Sequence, residues 1–222
     1  MSGFLFADVM IFDGSGAALY PGEVLVRGNR IEAVARGDER LPRDGVRLVE
    51  GQGRTLMPGM VEAHAHLTWP SNIERVINGM KLPIEEHVLV TAQNARITLD
   101  AGFTSAYSAG SLGERIEPVL RDMINAGYLP GPRLRASALE KGMEGVMGVP
   151  EGHDPTHDRS IPGLVAYVKQ MKALGCDTIK FLMSSDEGFA PGGAQVLMYS
   201  EEEAQAVGQA ARRRAPPGSS AP

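Results

Sequence analysis

Gly53-Arg54-Thr55-Leu56-Met57-Pro58-Gly59-Met60-Val61-Glu62-Ala63-His64-Ala65-His66 is the stretch on which the fold turns. Pro58-Gly59 punctuates it, and Met60 to Leu67 then reads as a buried strand. His64 and His66, at i and i+2, point to the same face of such a strand. At a strand's C-terminal end this spacing lets two imidazoles converge on one ion, and imidazole is a usual ligand of Zn²⁺ and similar metals. An isolated His-x-His pair is also common in polar loops, so the flanking text decides what this one means.

Upstream the chain reads as short strands. Phe4 to Phe12 ends at the turn pair Asp13-Gly14. Glu23–Arg27 and Arg30–Val34 are joined by Gly28-Asn29, the signature of a tight hairpin, and Val46–Val49 is a further strand. Three or four short strands make a thin core that has to lean on something else. Downstream the period changes. Pro83 to Ala101 reads as a helix, with Glu85 and Glu86 in its first turn and Gly102 past its end. Phe103–Ala109 is a strand, Glu117–Ala126 a helix closed by Gly127, and Arg133–Ala138 a third strand. Gly163–Leu174 is a helix with Leu164, Val168 and Met171 on one face, and Asp177–Met183 is a fourth strand. Alternating strands and helices imply a parallel sheet with helices outside. Either a doubly wound sheet or part of a (β/α)8 barrel satisfies that pattern.

The sequence from Thr55 to His66, a Pro-Gly turn followed by a strand ending in His-x-His, resembles the start of the barrel in the amidohydrolase superfamily of metal-dependent hydrolases. Ala63 through Gly193 resembles most its imidazolonepropionase- and prolidase-like branch. The resemblance implies an α/β fold: the N-terminal half of a (β/α)8 barrel preceded by part of a small β-sandwich module. The corresponding division is residues 1–58 for the partial β-sandwich and 59–210 for the first four βα units. Residues 211–222 are a low-complexity tail, expected to be disordered.

The same resemblance gives Lys180 a role. In binuclear members a lysine ending the fourth barrel strand is carboxylated and bridges two metals. Lys180 lies in Thr178-Ile179-Lys180-Phe181-Leu182, where an ammonium is awkward and the neutral amine that reacts with CO₂ is favoured. Snorkelling of the side chain past the strand end is the competing reading. The 114 residues from His66 to Lys180 give three βα units of about 38 residues, against roughly 31 in an average barrel. The implied cofactor is therefore one or two divalent ions, with Zn²⁺ the first choice, held by His64, His66 and a CO₂-derived carbamate on Lys180. The implied reaction is hydrolysis of a non-peptide carbon–nitrogen bond, in an amide, urea or cyclic amide, by a metal-activated water. Family members add two histidines and a catalytic aspartate from later strands. This sequence contains no histidine after His157, so no catalytic residue is identifiable, and it is expected to represent a truncated enzyme. The ending from Arg212 onward reads as a shifted reading frame. The alternative is a non-catalytic half-barrel that self-associates or pairs with a partner.

Other residues carry weaker signals. Trp69 follows His66 closely and is a candidate apolar wall for substrate. His153, in the loop after the third strand, is a candidate substrate contact together with His157, though a plain polar loop explains both. Ser184, Ser185 and Asp186 follow Lys180 by position alone. His87 is expected to be solvated, and Cys176 to be a small buried hydrophobe. The 22 Lys and Arg against 27 Asp and Glu, net −5, argue against a nucleic-acid partner. No apolar run reaches the roughly 18 residues of a membrane span, and no basic leader opens the chain. One cysteine fits a reducing compartment. The expectation is a cytoplasmic homo-oligomer acting on a small molecule. A nucleotide-binding doubly wound domain would need a glycine-rich phosphate loop, which the sequence lacks.

Overall fold

β1 (Gly3–Ile11) buries Leu5, Ala7, Val9 and Ile11, and a bulge between Phe6 and Val9, with Asp8 at φ 50°, turns Val9 and Ile11 to the face that Phe6 and Val24 share. It is the central strand of the first unit in a computed structural model that describes residues 3–71, 82–142, 145–146, 158, 160–184, 192 and 195–212. β2 (Tyr20–Arg27) lies antiparallel to β1, and β3 (Arg30–Arg36) antiparallel to β2. Arg27 pairs with Arg30 across Gly28-Asn29, with Gly28 at φ 58°, as a two-residue hairpin requires. β4 (Val46–Glu50) and β5 (Thr55–Leu56) run parallel to β1, giving one mixed five-stranded sheet. Val9, Ile11 and Val24 form its apolar centre with Phe6, Tyr20, Val26 and Leu56. Glu23 is buried in β2, and Arg43 holds its carboxyl below the usual range through hydrogen bonds at 2.6 and 2.8 Å. That pairing offsets the cost of burying the charge.

The chain divides into two compact units at Gly59/Met60. In the second, strands and helices alternate: β6 (Met60–Ala65), α1 (Ile84–Asp100), β7 (Phe103–Ser108), α2 (Ile116–Asn125). Next come β8 (Arg133–Arg135), β9 (Ser137–Gly142), β10 (Gly145–Val146), α3 (Ile161–Ala173), β11 (Thr178–Phe181) and α4 (Glu201–Arg212). β6, β7 and β8 pair in parallel, as do β9 and β11, while β10 folds back antiparallel on β9. Four parallel strand positions in chain order, each followed by a helix, are the first half of a (β/α)8 barrel.

Helix ends follow the local chemistry. α1 begins after Pro83 with Glu85 and Glu86 in its first turn, and Gly102 takes φ 94° just beyond it. α3 is capped by Ser160, whose Oγ accepts the Gly163 N–H at 3.2 Å. α4 opens with a reciprocal box in which Ser200 and Glu203 each accept the other's backbone N–H.

Two expectations are corrected. The strand from Met60 was expected to be buried, yet of β6 only Ala65 is buried, and Val61 is 62% exposed. β6 is an edge strand of its described sheet, and only one face meets helices: Ala65, Leu67, Ala106, Leu134 and Ala136 pack with Ala95 of α1 and Leu120 of α2. The third strand was expected to be continuous, but it breaks at Ala136. There Asp177 Oδ2 accepts the Ala136 N–H at 2.9 Å, and the Ala136 carbonyl accepts from Asp177 N at 2.8 Å and Thr178 N at 3.1 Å. The break transfers the strand's pairing from β7 to β11. A second apolar cluster, Tyr167, Val168 and Met171 with Ile179, Phe181 and Val207, seats α3 and α4 on β11. Among the described residues no helix is long and apolar enough to cross a membrane.

Candidate metal centre

The C-terminal end of β6 is tied to β7 by the Ala109 N–H, which donates to the Ala65 carbonyl at 2.8 Å. Immediately after it, Trp69 N donates to the His66 carbonyl at 3.1 Å, and this turn folds the indole back over the imidazole. The His66 and Trp69 rings lie 4.3 Å apart at 34°, and those of His64 and His66 are 5.1 Å apart. The i, i+2 pair is therefore side by side, although β6 ends at Ala65 and its register slips between Glu62 and Ala65. α1 bolts the turn down from below. Asn94 Nδ2 donates to the carbonyls of Leu67 (2.9 Å) and Trp69 (2.8 Å), and His87 Nε2 donates to the Thr68 carbonyl at 2.7 Å. His87 was expected to be solvated. It is 4% exposed, because it shares the buried face of α1 with Thr91 and Ala95 and satisfies a carbonyl there.

Glu140, on β9, was not singled out by the sequence. It is 1% exposed, and its Oε1 accepts the Trp69 Nε1–H at 3.0 Å. The same oxygen lies 3.0 Å from His66 Nδ1, but without the alignment a hydrogen bond needs, so that buried nitrogen has no hydrogen-bond partner among the described residues. Lys180 pairs in register with Glu140 across β11 and β9, which sends both side chains to the same side of the sheet. Lys180 itself is half-buried, less desolvated than an apolar strand led one to expect. His64, His66, Trp69 and Lys180 thus belong to one end of the parallel strands, with Glu140 between them. His153 and His157, like Ser185 and Asp186, lie outside the described residues. Ser184 forms an isolated bridge to Leu197.

Behind this end sits a second buried carboxyl. Glu117, in the first turn of α2, accepts the Ser137 N–H at 2.9 Å. Burial pushes its pKa up to about 7, and the Glu140 charge adds to the shift against hydrogen bonds from Ser108 and Ser137. The folded chain therefore keeps a proton that the unfolded chain releases above its ordinary value of 4.5. Stability from this group is complete below pH 4.5 and lost as pH rises through 7. The expected loss is about 3 kcal/mol, and Glu117→Gln should abolish it. Urea midpoints of both proteins at a series of pH values measure the difference; parallel curves would refute the assignment. Cys176 is half-buried, and burial first, then the Glu117 charge, pushes its thiol up to about 11. It packs with the Tyr167 cluster as a small apolar side chain.

Two adjacent imidazoles, one with a buried nitrogen that has no hydrogen-bond partner among the described residues, and a lysine in register with Glu140 are donor types that fit a divalent ion. Among the described residues no three His, Cys, Asp or Glu side chains come together as a metal cage. By itself the set falls short of a full coordination shell. An apolar groove of about 630 Å³ lines the α1–α2 surface at Ile84, Val88, Ile116, Val119 and Met123, and none of the candidate ligands borders it.

No family model matches the sequence. The N-acyl-D-aspartate deacylase of Alcaligenes xylosoxydans xylosoxydans is 34% identical over 83 residues, covering 35% of this chain and 16% of the deacylase. A putative prolidase from Bifidobacterium longum superposes with TM-score 0.72 at 26% identity, over 95% of this chain and 47% of that one. The crystal structure of an amidohydrolase gives TM-score 0.72 at 23% identity, over 92% of this chain and 52% of that one. The chain shares the fold of these amidohydrolase and prolidase structures. It spans about half the length of the superfamily structures that it matches. In terms of that barrel fold β6 is the first strand, β7 the second, β8 and β9 together the third, and β11 the fourth.

Proposed function

We propose that this chain carries the opening half of the metal site of a hydrolase that cleaves amide or urea carbon–nitrogen bonds. The observation behind the proposal is the side-by-side His64–His66 pair at the end of the first strand of an amidohydrolase fold. His64 and His66 hold the first divalent ion, Zn²⁺ being the best match to paired imidazoles. Lys180, as a carbamate, would help to hold a second ion. Its neutral Nζ adds to the carbon of CO₂, forming an N–C bond and releasing one proton to leave –NH–COO⁻. A bound ion supplies Lewis acidity, polarising a carbonyl oxygen and acidifying a water. Trp69 offers an apolar wall beside the pair, which would orient a substrate and exclude bulk water. His153 is proposed as a contact from the loop after the third strand.

A second reading is favoured by the sheet face turned away from the helices, where Val61, Tyr107, Arg133 and Arg135 are exposed. On this reading the chain is a half-barrel whose open face is covered by a second copy. Zinc calorimetry with sedimentation velocity decides between the two. The hydrolase reading expects about one to two equivalents of zinc, with at least one lost in His64→Ala and His66→Ala. It also expects a bicarbonate-dependent equivalent to be lost in Lys180→Ala. A defined dimer with no zinc uptake would overturn it.

A further inference from the structure

Glu140 has no assigned task in this reading, yet the surrounding chain is arranged around it. A carboxylate that is 1% exposed costs several kcal/mol unless donors meet it. Two nitrogens from the turn after β6 converge on the same oxygen: Trp69 Nε1, whose N–H is hydrogen-bonded to it, and His66 Nδ1, which lies 3.0 Å away and out of hydrogen-bond alignment. Space for the side chain is reserved by Gly110. At φ 135° this residue has no Cβ, and one built there would overlap Glu140 Cγ, Cδ and Oε1. Glu140 also stands in register with Lys180, so it adjoins the proposed ligands of both ions.

We infer that Glu140 is a positioning residue, fixing the ring orientation and tautomer of His66 through Nδ1 while Trp69 and Gly110 fix Glu140. The inference rests on the reading that His66 is a metal ligand. A carboxylate beside Nδ1 keeps the proton on that nitrogen and leaves Nε2 bare, which is the form a metal takes up. Lys180 is the competing partner for the carboxylate. If Glu140 served only Lys180, its loss would leave the imidazole unchanged.

Histidine side-chain ¹⁵N NMR on the zinc-free protein, followed by zinc calorimetry, tests this in wild type and Glu140→Gln. Wild-type His66 should be the Nδ1–H tautomer. Glu140→Gln keeps the shape and an acceptor but not the charge. It should give a tautomer mixture and bind zinc about 10- to 100-fold more weakly, the usual effect of losing such a partner. Unchanged tautomer and zinc affinity within twofold would overturn the inference while leaving the metal reading intact. Wild-type protein with the expected tautomer but no zinc uptake would overturn the metal reading and keep Glu140's hold on the ring. Should Glu140→Gln fail to fold, the wild-type spectrum still decides, because an Nε2–H tautomer there refutes the inference.

Discussion

Alanine at position 110 is expected to destabilise the chain by about 2–6 kcal/mol. Two costs combine. The backbone at φ 135° lies where side chains are rarely found, a strain of about 1–3 kcal/mol. The added methyl also overlaps Glu140 Cγ, and Glu140 has little freedom to retreat because it is buried and hydrogen-bonded to Trp69. Forcing an extra carbon into such a place costs about 1–3 kcal/mol. Gly102→Ala is the control. It also has positive φ, 94°, but its added carbon would meet only the end of the Met60 side chain at 3.3 Å. It should show the strain alone, about 1–3 kcal/mol. Urea denaturation of both variants reads the two costs separately. If Gly110→Ala were no worse than Gly102→Ala, Glu140 would not be held as described.

Tyr167→Ala is expected to cost about 4–6 kcal/mol. The ring is 1% exposed and meets Phe181 edge to face at 5.7 Å, and Phe181 meets Tyr199 in the same way at 5.3 Å. Truncating a buried aromatic costs about 3–5 kcal/mol. In addition, Tyr167 Oη donates to the Leu139 carbonyl at 2.6 Å, and losing that donor adds about 1 kcal/mol. Tyr167→Phe removes only the hydroxyl and should cost about 1–1.5 kcal/mol. Denaturant midpoints of the three proteins check the ratio. Equal losses in the two variants would place the stabilisation in the hydrogen bond rather than in the ring. Since Leu139 precedes Glu140, this bond also anchors the part of β9 that faces the candidate metal centre.

Much of this architecture is legible in the sequence because it is written locally. Pro83 with its acids and Gly102 bound α1, Gly28-Asn29 sets the hairpin, and the spacing of Leu164, Val168 and Met171 marks the buried face of α3. The closeness of His64 and His66 is legible for the same reason, since a spacing of two keeps them neighbours even though the strand ends at Ala65. Glu140 is not. Its meaning depends on Gly110 two segments away, on the turn that brings Trp69 back, and on a register with Lys180 that only the folded sheet defines. A signal did exist for the support beneath the site. His87, Thr91, Asn94 and Ala95 share one helical face, and a polar residue on a face that must be buried calls for a partner. The break at Ala136 is hidden because Arg133-Leu134-Arg135-Ala136-Ser137 alternates without interruption. The cause of the break is Asp177, more than forty residues downstream.

Trp69 is the chain's sole tryptophan. Its indole nitrogen is bonded to Glu140 and its ring is tilted over His66. Light absorbed at the red edge of the ultraviolet band is therefore emitted from one place alone, beside the two candidate ligands. The intrinsic fluorescence of the whole chain is a local gauge of that corner. Its wavelength follows water entering around the indole, and its intensity follows what happens to the neighbouring imidazole, with no dye or label attached.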